Sequence, residues 1–380
     1  MNASPTIHWI HWTEGGENCS AQWRSEAGVL PPKRVQLADD TLSADAAYRL
    51  ACEGTALLWR GDFQNARQLL QAMARRFDRK PHQSATTDNA FHQQRMAQGQ
   101  RARTLGMLLI SFAADHVIPA RRAPDVRRAC EEVHGRVATP YVSSLRELLG
   151  LIGAHEWRKK GIEIPALGGR IHPHYGVFAP VRSEYVDLLA AAPLPQALAA
   201  NSLAFDIGTG TGVLAALLAK RGVARVVATD QDERALECAH ANLVQLGLAG
   251  QVEVLRTDLF PSGRATLVVC NPHWVPARPS SPLEHALYDP DSRMLRGFLD
   301  GLAAHLAPGG EGWLILSDLA EHLDLRPRSA LLGFIDGAGL QVLERLDTRP
   351  IHPRAADTTD PLHAARSAEV TSLWRLGVKE

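Results

Sequence analysis

The spacing of hydrophobic residues predicts helices over the first 160 residues. A first helical pattern begins at Ser43, a plausible N-cap, and places Leu57 and Leu58 near its apolar face until Gly61 breaks the run. A second pattern begins at Asp62 and carries an i, i+3, i+7 stripe of Phe63, Ala66, Leu69, Leu70, Met73 and Phe77. The two patterns read as an αα-hairpin. Residues 1–160 are therefore expected to form a mostly helical N-terminal domain.

The pattern changes beyond residue 160. Residues 161–180 are rich in Gly, Pro and β-formers, and 161–200 reads as a linker and the start of a second domain. After Leu203, short apolar runs alternate with helical patterns; the runs are LAFDI, RVVATD, QVEVLRTD, TLVVCN and GWLILSD. Two late strands are predicted near 339–346 and 369–376. This alternation predicts an α/β domain over 201–380, with a Rossmann-like, mostly parallel seven-stranded sheet.

Composition narrows the class of protein. Apolar residues make up 45% of the chain and charged residues 22%, as in soluble globular proteins. The five cysteines form no C-x-x-C pair, so neither a disulfide framework nor a zinc site is indicated, and His172 with His174 alone makes a poor metal site. The N-terminus lacks the pattern of a secretory signal, and the most apolar stretch, Leu105–Ala114, is too short to span a bilayer. A cytoplasmic protein is expected.

Charge is unevenly distributed although the net charge is zero. Residues 1–160 hold 22 Lys and Arg against 16 Asp and Glu, and the remainder holds 19 against 25. An Arg-rich first half favours phosphate groups, or it is simply a solvated helical surface. Both interpretations remain open.

A glycine-rich turn follows the first strand of the second domain. It comprises Asp206, Ile207, Gly208, Thr209, Gly210, Thr211 and Gly212. Glycines allow close approach to a ligand, and the next helix presents free N–H groups, although NAD and FAD sites use a related turn. A carboxylate at Asp206 would suit a ligand carrying an ammonium and a sulfonium group and would repel a pyrophosphate. Alternatively, Asp206 only accepts hydrogen bonds from the turn.

Acidic residues end the next two strands. Asp230 is placed to accept hydrogen bonds from two ribose hydroxyls, a feature that NAD sites share. Asp258, followed by Leu259, is placed to accept from an adenine amino group, although an Asp at a strand end is also a common cap. Together they predict a nucleoside-containing ligand.

The turn after the fourth strand is the most informative part of the chain. It consists of Asn271, Pro272, His273 and Trp274. An amide or aromatic-amine nitrogen is a poor nucleophile, so a sulfonium methyl is attacked only when the NH2 group is held in place. The Asn oxygen and the Pro carbonyl can each accept one N–H, and the aromatic ring can stack on the planar group. Orientation of this kind supplies large effective molarities. Cys270, just before the turn, reads as a packed thiol.

These motifs resemble the class I methyltransferases of the "small domain" type. That group includes HemK-like protein-glutamine, rRNA guanine-N2 and tRNA adenine-N6 methyltransferases. The resemblance runs from about Tyr175 to Leu376. It implies that S-adenosylmethionine is held by Asp206, Gly208, Thr209, Gly210, Thr211, Gly212, Asp230, Asp258, Leu259 and Asn271. It also implies that Asn271 and Pro272, with His273 and Trp274, form the catalytic turn.

The sequence departs from the family pattern Asn-Pro-Pro-Tyr/Phe at two positions of the turn. His273 replaces the second proline and Trp274 replaces Tyr or Phe. In the Pro-rich loop that follows, Arg278 and Glu284 are candidates to contact the acceptor.

The implied function is N-methylation of a planar amino or amide nitrogen in a macromolecule. The acceptor is either an RNA base, in rRNA or tRNA, or a protein glutamine. Two alternatives are an NAD(P)-dependent oxidoreductase and a non-catalytic scaffold that keeps the donor site.

Overall fold

The computed structural model describes most of the chain in two compact units. The described residues are 7–79, 90–198, 202–277, 288–350, 357–358 and 360–379. One unit comprises Met1–Glu156 and the other Trp157–Glu380. Arg278 and Glu284 lie outside the described residues. None of the described helices is both long enough and apolar enough to cross a membrane.

The N-terminal unit is built on a six-stranded sheet. Its strands are β1 (His8–Glu14), β2 (Glu17–Trp23), β3 (Arg34–Ala38), β4 (Thr55–Trp59), β5 (Leu108–Phe112) and β6 (Tyr141–Ser144), in the order β1-β2-β6-β5-β4-β3. Its helices are α1 (Ala44–Cys52), α2 (Phe63–Asp78), α3 (Ala90–Gly106), α4 (Arg127–His134) and α5 (Leu145–Lys160). The sheet is strongly curled, because β1 also contacts β3 at the opposite edge.

The expectation of a mostly helical N-terminal domain missed this sheet. The predicted caps are present: Ser43 Oγ accepts from the Ala46 amide (3.3 Å) and Asp62 Oδ1 from the Gln64 amide (2.9 Å). Between the two helices, however, Leu57 and Leu58 lie in the buried strand β4. A short, continuous apolar run cannot be distinguished from a buried helical turn by periodicity alone. Gly54, at φ +80°, is the signal that separates α1 from β4.

No element was predicted for the segment that forms the β1–β2 hairpin. Its turn is formed by Gly15 and Gly16, both in the left-handed region at φ +60° and +87°. Two glycines between alternating strands are a hairpin signal, because the favoured two-residue turns need positive φ. The exposed face of β1 carries the apolar Trp9 beside His11 and Thr13, so the alternation of apolar and polar residues is incomplete.

The C-terminal unit contains the predicted seven-stranded sheet. Its strands are β9 (Leu203–Ile207), β10 (Arg225–Asp230), β11 (Val252–Arg256), β12 (Ala265–Cys270), β13 (Leu306–Ser317), β14 (Leu340–Thr348) and β15 (Thr371–Val378), in the order β11-β10-β9-β12-β13-β15-β14. The first five in this order are parallel, and β15 is antiparallel to both neighbours. The sheet order and strand directions confirm the Rossmann-like prediction.

Helices and a short hairpin complete this unit. The helices are α6 (Glu184–Ala191), α7 (Val213–Lys220), α8 (Glu233–Gln245), α9 (Arg293–His305), α10 (Leu319–His322), α11 (Arg328–Gly337) and α12 (His363–Ala368). Strands β7 (Ile162–Ile164) and β8 (Gly169–Ile171) form the hairpin. The segment expected to be a linker, 161–200, therefore lies within the C-terminal unit.

The large sheet is buried on both faces. In β9, Ala204 belongs to one apolar cluster and its neighbour Phe205 to another, and both are fully buried. Val269 and Val268 of β12 divide in the same way. Alternate side chains of a strand point to opposite faces, so helices cover both sides. This burial holds the strand ends, and the turns that follow them, in fixed positions.

Replacement of Leu58 by Ala tests the buried strand β4. Leu58 is fully buried in an apolar cluster, so Leu58→Ala should lower the apparent free energy of unfolding by about 2–5 kcal/mol. The matched control is Leu30→Ala, because Leu30 is 66% exposed. Urea denaturation followed by tryptophan fluorescence measures both variants. Equal, small effects of the two substitutions would contradict the placement of β4 in the core.

Candidate active site

Three of the predicted site segments meet because of strand register. Ile207 at the end of β9 pairs with Cys270 at the end of β12 on one side and with Thr229 of β10 on the other. Parallel neighbours lie about 4.8 Å apart and end at the same edge of a sheet. The glycine turn therefore leaves the sheet between Asp230 and Asn271. This edge is also where open α/β sheets bind ligands.

The glycines of the turn each meet a different spatial demand. Gly208 has φ +71°, and a Cβ there would collide with the Met294 side chain. At Gly212, with φ +80°, a Cβ would lie 3.2 Å from Ala239 Cα of α8. At Gly210 a Cβ would meet no atom within 4 Å, so this residue faces open space. The turn is thus packed against α9 and α8 at its ends and open at its centre, where a ligand can approach the backbone.

Asp206 is a buried carboxylate within this turn. It is 1% exposed, and its Oδ2 accepts from Thr209 Oγ1 (2.6 Å) and from the Ala215 amide (3.0 Å). Its Oδ1 is buried with no hydrogen-bond partner among the described residues. Burial raises the pKa of Asp206 to about 6, although the bonds from Thr209 and Ala215 oppose that shift. Both interpretations of Asp206 from the sequence are thus compatible: it bonds the turn and leaves one oxygen available.

Asp230 fixes the turn from the neighbouring strand. Its Oδ2 accepts from the Gly210 amide (3.1 Å) and its Oδ1 from the Asp232 amide (3.0 Å). Desolvation by burial raises its pKa. An ionised carboxylate has about four acceptor positions, so two hydroxyl donors can still bind. This is the arrangement expected of a carboxylate that holds a ribose.

Asp258 and Leu259 differ in their surroundings. Asp258 is exposed, and its two oxygens accept from Gln231 Nε2 (2.7 Å) and Arg293 Nη2 (2.9 Å). Leu259 adopts φ +64°, and its carbonyl accepts from Thr229 Oγ1 (2.7 Å). Asp258 therefore lies at the same sheet edge as Asp230, but it already has partners at the protein surface.

The Asn-Pro-His-Trp turn contains a hydrogen bond of its own. Trp274 Nε1 donates to Asn271 Oδ1 over 2.8 Å. Phe or Tyr at this position, the usual family residues, would have no ring N–H at that place. Pro272 is buried, whereas Asn271, His273 and Trp274 are half-buried. The bond fixes the orientation of the Asn271 amide and leaves its oxygen a second lone pair for an acceptor N–H.

Three residues that the sequence did not predict surround Trp274. The guanidinium of Arg182 lies 5.5 Å from the centre of the indole ring, and the ring of Tyr185 meets it edge-on at 6.5 Å. Arg326 is 5% exposed, and its Nη2 lies 3.4 Å from the Trp274 carbonyl. These residues are distant from Trp274 in sequence, so no local pattern could identify them.

Two other residues considered from the sequence have structural partners. Cys270 is fully buried, and burial raises the pKa of its thiol well above the ordinary range, which confirms a packed, protonated thiol. The ring of His172 has Nδ1 2.6 Å from the Arg158 carbonyl and Nε2 2.9 Å from Gln245 Nε2. Both of its ring nitrogens are therefore engaged by protein groups.

Part of the C-terminal unit matches a family of known proteins. Residues 168–325 match the family model described as "Methyltransferase small domain". This segment includes the glycine turn, both strand-end carboxylates and the Asn-Pro-His-Trp turn. Residues 168–325 of the C-terminal unit are thus similar to a methyltransferase small domain.

Three relatives show the range of known proteins that share this domain. The chain is 35% identical to "Ribosomal protein L11 methyltransferase" of Pelotomaculum thermopropionicum, over 37% of this chain and 39% of that protein. It is 33% identical to "Release factor glutamine methyltransferase" of Cereibacter sphaeroides, over 38% and 55%. It is 36% identical to "tRNA1(Val) (adenine(37)-N6)-methyltransferase" of Pedobacter heparinus, over 31% and 52%. The chain thus covers between 39% and 55% of these relatives.

The buried carboxylate predicts a pH dependence of stability. The folded pKa of Asp206, about 6, is above its ordinary value of 3.8, so burial of the charge opposes folding fully above pH 6 and not at all below about pH 4. Relative to Asp206→Asn, the wild type should lose on the order of 3 kcal/mol of stability between pH 4 and pH 7. Urea denaturation of both proteins across this range measures the difference. A difference independent of pH would show that Asp206 titrates normally.

Proposed function

We propose that this protein transfers a methyl group from S-adenosylmethionine to a planar nitrogen, an amino or amide group, of a macromolecule. The observation that carries the proposal is the adjacency of the glycine turn after β9 and the Asn-Pro-His-Trp turn after β12. One turn suits the donor and the other suits a flat nitrogen. The small-domain family and the three methyltransferase relatives support the same reaction class.

The residues of the donor turn fit S-adenosylmethionine. Oδ1 of Asp206 has no hydrogen-bond partner among the residues that the structure describes, and burial raises the pKa of this carboxyl group. The ammonium and sulfonium groups of the donor would supply a compensating positive charge. Asp230 would hold the ribose hydroxyls, and the open side of Gly210 would admit the ligand to the backbone. When bound, the donor supplies an electrophilic methyl group on sulfur.

The protein's contribution to the reaction is orientation. Asn271 Oδ1 and the Pro272 carbonyl would each accept one N–H of the acceptor, so that the nitrogen lone pair points at the methyl carbon. Trp274 holds the Asn271 amide and offers its ring to the planar group. No general base is required before transfer, because the nitrogen loses its proton readily once it is alkylated.

Two variants of the acceptor turn test this mechanism. Asn271→Ala removes an N–H acceptor and should reduce methyl transfer at least 100-fold, while the affinity for S-adenosylhomocysteine changes less than about threefold, since orientation is lost but the donor turn is intact. Transfer is measured with labelled S-adenosylmethionine in extract of a strain lacking the protein, with RNA and protein fractions counted separately. Methyl transfer by Asn271→Ala at the rate of the wild type would contradict the assignment. The absence of methyl transfer by the wild type would also contradict it.

The variant Trp274→Phe tests the role of the indole N–H separately from that of the aromatic ring. It keeps a stacking surface but loses the bond to Asn271, so transfer should fall roughly tenfold, as expected for one lost hydrogen bond. Leu343→Phe, an exposed substitution elsewhere, is a control for a change of ring content. If Trp274→Phe is fully active, the indole N–H has no role in orienting the amide.

Isothermal titration distinguishes the donor from a dinucleotide. We expect the protein to bind S-adenosylhomocysteine and not NAD, because the buried Asp206 carboxylate would repel a pyrophosphate. Binding of NAD without S-adenosylhomocysteine would favour the oxidoreductase alternative.

A further inference from the structure

A cavity lies within the N-terminal unit, outside the residues that match the methyltransferase small domain. Its volume is about 390 Å³, within the range of small-molecule sites. Trp59 and Phe112, the last residues of β4 and β5, and Tyr141, the first of β6, contribute to its wall. Here the sheet changes from parallel to antiparallel, since β4 and β5 are parallel and β5 and β6 are not. Trp59 and Phe112 thus lie at the carboxyl ends of two parallel strands, the end at which α/β sheets commonly bind ligands.

A fixed aromatic surface forms part of the cavity wall. Trp12 is half-buried, and its Nε1 donates to Glu14 Oε2 over 2.9 Å. The guanidinium of Arg60 lies 5.7 Å from the Trp12 ring and donates to both Glu14 oxygens, at 2.8 and 2.7 Å, and to Ser111 Oγ at 2.8 Å. Because Arg60 and Glu14 neutralise each other, this part of the wall has no net charge, and the Trp12 ring is held in one orientation with Arg60 over one of its faces. Such a surface suits a flat, neutral ring more than a charged group.

Positive charge lies directly beside this wall. The lining segment Ile118–Ala120 is followed at once by Arg121 and Arg122, whose side chains are 76% and 58% exposed. Both guanidinium groups donate to Oδ2 of the buried Asp62, over 2.9 Å from Arg121 and 2.7 Å from Arg122. These hydrogen bonds, of which that from Arg122 has the larger effect, hold the pKa of Asp62 well below its usual range. Asp40 also acts electrostatically on Arg122, so the two guanidinium charges are balanced by Asp62 and Asp40, and what the pair offers is its exposed N–H donors. These are the groups that bind phosphate oxygens.

We propose that this cavity is a binding site for single-stranded nucleic acid, with one base stacked on Trp12 and a neighbouring phosphate on Arg121 and Arg122. An apolar protein segment could fill the cavity but would make no use of the exposed N–H donors of Arg121 and Arg122. The excess of basic residues in the first 160 residues, 22 against 16 acidic, favours the same partner. The inference rests on the proposed function only in choosing RNA over protein as the acceptor class.

Binding of labelled oligonucleotides to the full chain tests the site. Fluorescence anisotropy is measured with fluorescein-labelled oligoadenylate RNA and with the corresponding single-stranded DNA, at low salt. Trp12→Leu should weaken binding roughly tenfold or more, since it removes a stacking ring, whereas Trp12→Phe should stay within about threefold of wild type. Both variants lose the bond to Glu14, so they differ in the aromatic ring alone. Trp9→Leu is the matched control, because Trp9 is on the opposite face of β1 and 50% exposed.

The salt dependence of binding tests the phosphate contact separately. Arg121→Gln leaves Arg122 on Asp62, so the fold is retained, and it should reduce the slope of log K against log salt by about 0.7. Melting curves verify the fold of every variant. Tighter binding of RNA than of DNA supports an RNA acceptor, and the reverse would overturn that choice.

Two results would overturn the site itself. The first is that the wild type binds no oligonucleotide. The second is that Trp12→Leu binds with the affinity of the wild type and that Arg121→Gln leaves the salt dependence of binding unchanged. Titration with S-adenosylhomocysteine in the same samples keeps the two proposals distinguishable. Donor binding without oligonucleotide binding would contradict the nucleic-acid site and leave the proposed methyl transfer intact.

Discussion

The parallel pairing of β9 with β10 and β12 is the constraint on which the site depends. Backbone hydrogen bonds hold these strand ends about 4.8 Å apart, so the groups that follow each strand are neighbours whatever their separation in sequence. Asp230, the glycine turn and Asn271 come from three distant parts of the chain. Burial of the sheet on both faces gives this edge its rigidity. In the proposed reaction, this buried sheet would hold the turns that orient the donor and the acceptor nitrogen against each other.

The site also contains unfavourable electrostatics that a ligand could relieve. Burial and the negative charge of Asp230 raise the pKa of Asp206. Structural carboxylates are usually paired or hydrogen-bonded at both oxygens, and here one oxygen has no partner among the described residues. Perturbed groups of this kind cluster at functional sites. The hydrogen bond from Trp274 Nε1 is a second feature particular to this site. It orients the Asn271 amide, whereas Tyr or Phe at this position would have no ring N–H to do so.

The sequence predicted the C-terminal unit far better than the N-terminal one, for a physical reason. Strands such as β9 and β12 are followed by turns whose residues, Gly208 and Asn271, mark the strand ends unmistakably. In the N-terminal unit, β4 and β5 are five-residue apolar runs next to helices, and their period does not distinguish strand from helix. Contacts across the fold, such as Arg182 over Trp274, leave no trace in local sequence. The positions of the candidate side chains at strand ends were therefore predictable, and the residues that pack around them were not.

A crystal structure with S-adenosylhomocysteine bound is the most direct test of the central claim. The account predicts that the ribose hydroxyls lie on Asp230, the amino group is on the Asp206 side of the glycine turn, and the sulfur faces the Asn271–Pro272 turn. A ligand bound at this edge in the reverse direction, with its sulfur remote from Asn271, would contradict the account, because no methyl group could then reach a nitrogen held by that turn.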